Sequence, residues 1–222
     1  MSDVDLRSID PATRARHLGN PEGPVGIAIA DSIAVLNRRL NEVAFALLAP
    51  SSGDRILEIG CGNGKLVPDL LRCASGPTYD GLDISETMKA EAIKANPATV
   101  QAGTTRFHVG SSDAMPFADG TFDRALVINV IYFWADPLAH LREIARALRA
   151  KGRLVLASVT ARYAATMPFT QHGFRIHEGT AIRDLLTEAG FPEVRLSVER
   201  HMAQMILGDT HDREFNMLVA EK

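Results

Sequence analysis

The sequence predicts an α/β fold built on an open, doubly wound and mostly parallel sheet. Short apolar runs alternate with amphipathic helical patterns from Arg55 onward, and that alternation is typical of parallel strands covered by helices on both faces. The last two apolar runs, Val194–Val198 and Phe215–Ala220, follow each other without a helical pattern between them. If they pair, their non-helical connection favours an antiparallel ending.

The five earlier strands and four helices follow from the same patterns. The helix at Pro137–Ala150 has the clearest pattern, because Pro137 stands in its first turn and Gly152 follows its end. The predicted strands are Arg55–Ile59, Thr78–Leu82, Arg106–Val109, Phe122–Ile128 and Arg153–Ala157. The predicted helices are Lys65–Cys73, Glu86–Ala95, Pro137–Ala150 and Thr180–Ala189.

The first fifty residues have a different pattern. A turn-rich break at residues 20–24 precedes apolar residues that recur every three or four positions and form one face of an amphipathic helix. Pro50 ends that helix. We therefore expect residues 1–50 to form a helical cap or extension and residues 51–222 to form the main domain. The apolar face comprises Ile29, Ile33, Leu36, Leu40, Val43 and Leu47.

Composition narrows the function classes. The 222 residues are 46% hydrophobic and carry a formal net charge of −3, which argues against nucleic acid or an anionic membrane as the main partner. Cys61 and Cys73 lie twelve residues apart without a Cys/His cluster, so no metal site is expected. The first twenty residues lack the apolar core of a secretory signal. We expect a cytoplasmic protein that is a monomer or homodimer.

A glycine-rich turn follows the first predicted strand. Residues 58–64 read Glu-Ile-Gly-Cys-Gly-Asn-Gly. A dinucleotide fingerprint, G-x-G-x-x-G, fails because Lys65 stands where its third glycine belongs. A phosphate-binding P-loop fails because Ile59 replaces its first glycine and Leu66 its hydroxyl residue. The carboxylate of Glu58 would suit a cationic amino-acid head group, such as that of S-adenosylmethionine.

Here the sequence resembles the class I S-adenosylmethionine-dependent methyltransferases, of the type 11 methyltransferase-domain kind. The resemblance is good from about residue 55 to 157 and weak beyond. It implies a Rossmann-like sheet of seven strands with an antiparallel last strand. It also implies that the glycine turn contacts the methionine part, that Asp83 holds the ribose hydroxyls and that Asp113 meets the adenine amino group. The predicted cofactor site comprises Glu58, Gly60, Cys61, Gly62, Gly64, Asp83, Ile84, Ser112, Asp113, Ala114 and Asn129.

The segment after the fourth strand is where the acceptor usually lies in this family. Nucleobase-amine methylases have Asn/Asp-Pro-Pro-aromatic there, whereas this chain has Val130 and Ile131 in place of both prolines. We therefore expect a small-molecule acceptor that is methylated by in-line transfer. The weak candidates for a catalytic group are Tyr132, His172 and His177. Two alternatives stay open, a nicotinamide-dependent oxidoreductase and a catalytically silent S-adenosylmethionine-binding protein.

Overall fold

The structure, a computed structural model, describes residues 4–204 and 210–222. Its helices are α1 (Pro11–Gly19), α2 (Gly23–Leu36), α3 (Arg38–Leu48), α4 (Val67–Leu71), α5 (Glu86–Ala95), α6 (Pro97–Gln101), α7 (Pro137–Ala147), α8 (Ala161–Ala164) and α9 (Gly179–Glu188). Its strands are β1 (Arg55–Ile59), β2 (Thr78–Asp83), β3 (Thr105–Val109), β4 (Phe122–Ile128), β5 (Leu148–Val159), β6 (Glu193–Gln204) and β7 (Thr210–Glu221).

Seven strands in the described residues form one sheet in the order β3-β2-β1-β4-β5-β7-β6. Strands β1 to β5 pair in parallel, and β7 is antiparallel to both β5 and β6. The predicted α/β class, the seven strands and the antiparallel last strand are confirmed.

Both faces of the sheet are covered. Successive residues of a strand point to opposite faces, and the neighbours Ile56 and Leu57 of β1 are both fully buried. The same holds for Leu154, Val155 and Leu156 of β5. The sheet is therefore the middle layer of the core, and its carboxyl-terminal edge is left for a ligand site.

The amino-terminal helix differs from the prediction. The single amphipathic helix expected up to Pro50 is broken at Asn37 into α2 and α3. Arg213 of β7 explains the break, because its guanidinium donates to the Leu36 carbonyl oxygen at 2.6 Å and to Asn37 Oδ1 at 2.7 Å. A carbonyl engaged by a strand residue is drawn from the helical hydrogen-bond ladder. Sequence periodicity cannot register a partner 177 positions away.

Other boundaries shift by a few residues. The helix predicted at Lys65–Cys73 is only α4, since residues 61–66 belong to the turn before it. The helix predicted to reach Ala150 ends at Ala147, because Leu148 already pairs with Phe122 in the sheet. Helix α1, which Asp10 caps by accepting from the Thr13 N–H at 2.9 Å, was not predicted.

Candidate active site

A cavity of about 420 Å³ opens at the carboxyl ends of β1, β2 and β4. Its wall includes most of the predicted cofactor residues, namely Glu58, Gly60, Cys61, Gly62, Gly64, Asp83, Ile84, Ser112 and Asn129. Tyr132 also lines it, as do residues of α1 and α2. The structure thus brings together side chains from three strand ends and the amino-terminal helices.

The glycine turn adopts the backbone conformation that its sequence suggests. Gly60, Gly62 and Gly64 have φ values of +70°, +55° and +64°, a region that costs other L-residues about 1–2 kcal/mol. A Cβ on Gly60 would lie 2.4 Å from Val130, and one on Gly64 would lie 2.9 Å from Ala92. A Cβ on Gly62 would meet no atom within 4 Å. Two glycines therefore permit packing, whereas Gly62 leaves space beside the cavity.

Asp83 connects the end of β2 to the glycine turn. Its Oδ2 accepts from the Gly62 backbone N–H at 2.9 Å, and its Oδ1 accepts from the Ser85 N–H at 2.9 Å. Burial raises the pKa of Asp83, while these backbone donors oppose the rise. Each carboxylate oxygen keeps lone pairs for further donors. Asp83 can therefore hold the turn and still accept from ligand hydroxyls.

Glu58 presents a carboxylate of raised pKa at the end of β1. Removal from water raises its pKa to about 7, the Tyr79 hydroxyl lowers it, and the nearby charge of Asp83 raises it. Tyr79 donates its hydroxyl to Glu58 Oε2 at 2.6 Å. No cationic side chain forms an ion pair with Glu58 among residues 4–204 and 210–222. A carboxylate in this position favours a bound cation.

Asn129 directly follows β4 and has a backbone conformation that few residues other than glycine adopt. Its φ is +58°, in the left-handed region that asparagine tolerates better than most residues. Its backbone N–H donates to the Ala157 carbonyl oxygen at 2.8 Å. Its Oδ1 is buried with no hydrogen-bond partner in the structure. An unpartnered buried acceptor in the cavity wall is a feature that a ligand donor would satisfy.

His140 of α7 is a cavity residue that the sequence analysis missed, and it contacts the predicted residue Ser112. The Ser112 hydroxyl and His140 Nδ1 lie 2.8 Å apart, and the His140 ring stacks on Trp134 at 4.5 Å with an interplanar angle of 6°. Burial lowers the pKa of His140, although the charges of Asp113 and Asp136 oppose this. His140 belongs to the buried face of α7, so its sequence position gave no sign of a ligand contact.

Two predicted adenine-site residues lie outside the cavity wall. Asp113 and Ala114 are exposed, while their neighbours Ser111 and Ser112 line the cavity. The Ser111 side chain lowers the pKa of Asp113, so this carboxylate stays ionised beside the rim. The predicted contact of Asp113 with adenine remains a prediction.

The amino-terminal helices cover the glycine turn. Asp31 of α2 forms an ion pair with Lys65 at 2.6 Å and accepts from Asn63 Nδ2 at 2.9 Å. The Ser85 hydroxyl donates to the carbonyl oxygen of Pro21, which precedes α2. These contacts join residues far apart in the chain, and no spacing rule could have found them.

Three aromatic side chains, Tyr132, Phe133 and Phe174, form an aromatic wall of the cavity. Tyr132 and Phe174 stack with centroids 4.8 Å apart, and Phe133 lies edge-on to Phe174 at 4.8 Å. Burial raises the pKa of Tyr132 far above its ordinary value. The hydroxyl therefore stays protonated near neutral pH and is unsuited to act as a base.

The two other catalytic candidates do not reach this cavity. His172 is exposed, and His177 is half-buried with a lowered pKa caused by burial and by Arg175. Neither residue belongs to the cavity wall. Both histidines lie in the segment 169–177, and this segment directs Phe169 and Phe174 into the cavity wall instead. The hypothesis that one of these histidines serves as a general base is not supported by this geometry.

Comparison with known proteins identifies the family. Residues 57–156 match the family model described as a methyltransferase domain. The O-methyltransferase resE of Aspergillus sclerotiorum is 30% identical over 184 residues, which cover 79% of this chain and 67% of that protein. The chain belongs to the class I S-adenosylmethionine-dependent methyltransferases. Its enzyme class and its cofactor, S-adenosylmethionine, follow from this membership, and the nicotinamide and catalytically silent alternatives give way.

Solved structures share the fold of this methyltransferase. An S-adenosylmethionine-dependent methyltransferase from Methanosarcina mazei superposes with a TM-score of 0.61 at 20% identity, covering 78% of this chain and 94% of that one. Geranyl diphosphate methyltransferase, in complex with geranyl diphosphate and sinefungin, superposes with a TM-score of 0.65 at 17% identity. The match covers 84% of this chain and 78% of that one. At these identities the likeness concerns the fold.

The cavity residues fit the cofactor of a methyltransferase. The wall has a buried carboxylate at Glu58, a second carboxylate with acceptor capacity left at Asp83, and open space beside Gly62. This chemistry is complementary to an ammonium group and to ribose hydroxyls. In the described part of the chain, no group of three His, Cys, Asp or Glu residues could hold a metal ion. Between residues 4 and 204 and from 210 to 222, no helix combines the length and apolar character that a membrane span requires.

Proposed function

We propose that this methyltransferase transfers the methyl group to an oxygen atom of a small acceptor held against the aromatic wall. The observation that carries the proposal is that one cavity joins the strand-end carboxylates Glu58 and Asp83 to the rings of Tyr132, Phe133 and Phe174. Relatives named as O-methyltransferases, in Aspergillus sclerotiorum and Pyrenophora dematioidea, support oxygen as the acceptor atom.

The proposed roles of the chain's residues follow from their charges and positions. S-adenosylmethionine supplies a methyl group that is already activated by its sulfonium. Ionised Glu58 binds the ammonium group, and Asp83 accepts from the ribose hydroxyls while it fixes Gly62. The residues around Ser112, Asp113 and Ala114 receive the adenine, and Ile84 and Cys61 contribute apolar contact. Alignment of this kind can supply about 7–11 kcal/mol of a barrier.

Water exclusion is the proposed task of α1 and α2, whose residues line the cavity. Helix α3, the last part of the predicted cap at residues 1–50, packs on β4 and β5 in the main core instead. Asp31 joins α2 to the glycine turn, and Pro21 joins the start of α2 to Ser85 after β2. A dry site strengthens the electrostatic interactions inside it. The aromatic wall supplies an apolar surface for the acceptor. No side-chain base is assigned, since an acceptor that is already an anion, such as a carboxylate, needs none.

The test is a labelled-methyl screen. The purified protein is incubated with S-adenosylmethionine carrying a trideuterated methyl group and with pools of phenols, carboxylic acids, amines and thiols. Mass spectrometry then identifies the products. We expect trideuteromethyl ethers or esters together with release of S-adenosylhomocysteine. Label found solely on nitrogen, sulfur or carbon would overturn oxygen as the acceptor atom. Binding of the cofactor without formation of any product would overturn the proposed methyl transfer.

Location and assembly stay predictions from the sequence. Cys61 and Cys73 are free thiols, which is compatible with the reducing cytoplasm that we propose. Fractionation of cells that express the tagged chain tests the location, and sedimentation of the purified protein distinguishes a monomer from a homodimer.

A further inference from the structure

Arg213 of β7 is a buried cation in the cavity wall. Arg213 is only 4% exposed, and it lines the same cavity as Glu58 and Asp83. Besides the Leu36 and Asn37 contacts, its Nε donates to the Tyr163 hydroxyl at 3.3 Å. Its guanidinium carbon lies 4.8 Å from the centre of the Phe215 ring.

All of these partners are neutral. Among the residues that the structure describes, no carboxylate lies within ion-pair distance of Arg213. The neighbouring Glu214 instead pairs with Arg162 and Arg200 on the exposed side. Arginine stays charged in proteins, and a buried charge without a counter-charge is costly. The carbonyl end of α2 and the ring of Phe215 compensate it only in part.

The guanidinium also has hydrogen-bonding capacity left. It carries five N–H groups, and three of them are used by Leu36, Asn37 and Tyr163. A carboxylate can accept from two N–H groups of one guanidinium in a bidentate pair. Arg213 is therefore able to bind an anion without giving up the contacts that break α2 from α3.

Charge in the cavity is divided between two regions. The carboxylates of the wall, Glu58 and Asp83, stand at the ends of β1 and β2, where the cofactor binds. Arg213 lies on β7, three positions from β1 in the strand order of the sheet. The other cations of the wall are Arg14 of α1 and Lys65, and Lys65 is paired with Asp31. Arg14 likewise donates to a neutral acceptor, the Leu6 carbonyl oxygen, at 2.6 Å. The part of the wall near β7 thus carries a buried guanidinium that no described carboxylate neutralises.

We infer that the acceptor is a small carboxylic acid whose carboxylate pairs with the buried guanidinium of Arg213. This inference rests on the proposed function, because it names the substrate class of the same cavity. The apolar body of such an acid would lie against Tyr132, Phe133 and Phe174, and its charged end would meet Arg213. A neutral molecule of the same shape would leave the guanidinium without a counter-charge, so the site discriminates acids from their amides.

Paired ligands test this directly. The protein is first saturated with S-adenosylhomocysteine, and calorimetry then measures the binding of benzoate, phenylacetate and decanoate, each beside its primary amide. We expect at least one acid to bind about tenfold or more tightly than its amide. Arg213→Met should remove that preference, and Arg213→Lys should restore part of it because it keeps the charge. Arg195→Met, an exposed residue of β6, is the control and should keep the full preference.

The outcomes separate this inference from the proposed function. If S-adenosylhomocysteine does not bind the wild-type protein, the proposed cofactor roles fail. If it binds and the acids show no preference over the amides, or no acid binds at millimolar concentration, the inference is overturned. A preference that persists in Arg213→Met overturns it as well. The unfolding midpoint and the cofactor affinity of each variant show whether a lost acid preference comes from the Arg213 contact or from a disturbed fold. If Arg213→Met unfolds, the comparison of Arg213→Lys with wild type is the test.

Discussion

The carboxylate of Asp83 accepts the backbone N–H of Gly62 at 2.9 Å, so the end of β2 holds the middle of the turn that follows β1. The two residues belong to neighbouring parallel strands whose carboxyl ends meet at one edge of the sheet. A residue that the family resemblance assigns to a ribose is therefore also a structural support for the turn. Changing either residue perturbs both parts of the site.

Asp83→Ala should weaken the binding of S-adenosylhomocysteine by about 1.5–3 kcal/mol, the usual range for a lost hydrogen bond to a charged group. The reason is that the ribose loses its acceptors and Gly62 loses its anchor. Calorimetry on the apo protein measures the change. The control is Glu188→Ala, whose side chain forms an exposed pair with Arg142. Equal affinity of Asp83→Ala and wild type would remove Asp83 from the cofactor site.

Gly62→Val should abolish cofactor binding while the protein still folds. The valine side chain would occupy space beside the cavity, because no atom of the described residues lies within 4 Å of the Cβ position. Backbone strain at φ +55° costs about 1–2 kcal/mol. Gly103→Val is the matched control, since Gly103 has φ +71° and the same open surroundings but lies outside the cavity.

Both glycine variants should lose a similar amount of unfolding free energy in urea titrations. If Gly62→Val binds S-adenosylhomocysteine as tightly as Gly103→Val does, the turn is not the cofactor site. A circular dichroism spectrum that matches wild type confirms that each variant is folded.

Cofactor affinity should fall as the pH decreases through about 7. Glu58 has a pKa raised to about 7, so its ionised fraction, and with it the attraction for an ammonium group, declines below that pH. We expect the affinity for S-adenosylhomocysteine to drop about tenfold between pH 8 and pH 6. Glu58→Gln should bind weakly at pH 8 and show no such slope. A wild-type affinity that is constant over this range would contradict the role of Glu58.

The contribution of Glu58 to the stability of the cofactor-free protein should decrease as the pH rises, whereas the cofactor affinity increases. The pKa of Glu58 is higher in the folded chain than its ordinary value of 4.5, so the folded state binds more protons between pH 4.5 and about 7. Its contribution to the unfolding free energy is therefore most favourable below pH 4.5 and declines until the pH passes about 7. Glu58→Gln should raise the unfolding midpoint relative to wild type at pH 8 and not at pH 4.5.

The sequence predicted the sheet well because its evidence is local. Strand β1 ends at Ile59 where the prediction placed its end, and the three alternating glycines mark the turn that follows. What it missed depends on contacts between distant residues. The ion pair of Asp31 with Lys65 and the hydrogen bond of Arg213 to Asn37 join residues that only the folded chain brings together. The histidines His172 and His177 were attractive by type, yet the fold turns the aromatic residues of that segment to the cavity instead.

Tyr132→Phe should change the rate of methyl transfer less than about tenfold and leave its pH profile unaltered. Burial keeps the Tyr132 hydroxyl protonated, so the residue contributes its ring and not a base. Tyr132→Ala should raise the KM for the acceptor, because the stack with Phe174 is lost, and such ring pairs contribute about 0.5–1.5 kcal/mol. The measurement uses the acceptor that the labelled-methyl screen identifies. A rate that rises with pH in the wild type and no longer does so in Tyr132→Phe would instead assign Tyr132 as a base.

Asp31→Ala should accelerate cofactor release. Asp31 holds α2 on the glycine turn through Lys65 and Asn63, and both members of the ion pair are partly exposed, so the interaction is worth about 0.2–1 kcal/mol. We therefore expect the dissociation rate of S-adenosylhomocysteine to rise about threefold in stopped-flow displacement, with little change in the association rate. Glu42→Ala on α3, which removes an exposed pair with Arg39, is the control. Equal dissociation rates in the two variants would show that α2 packs on the domain without closing the cofactor site.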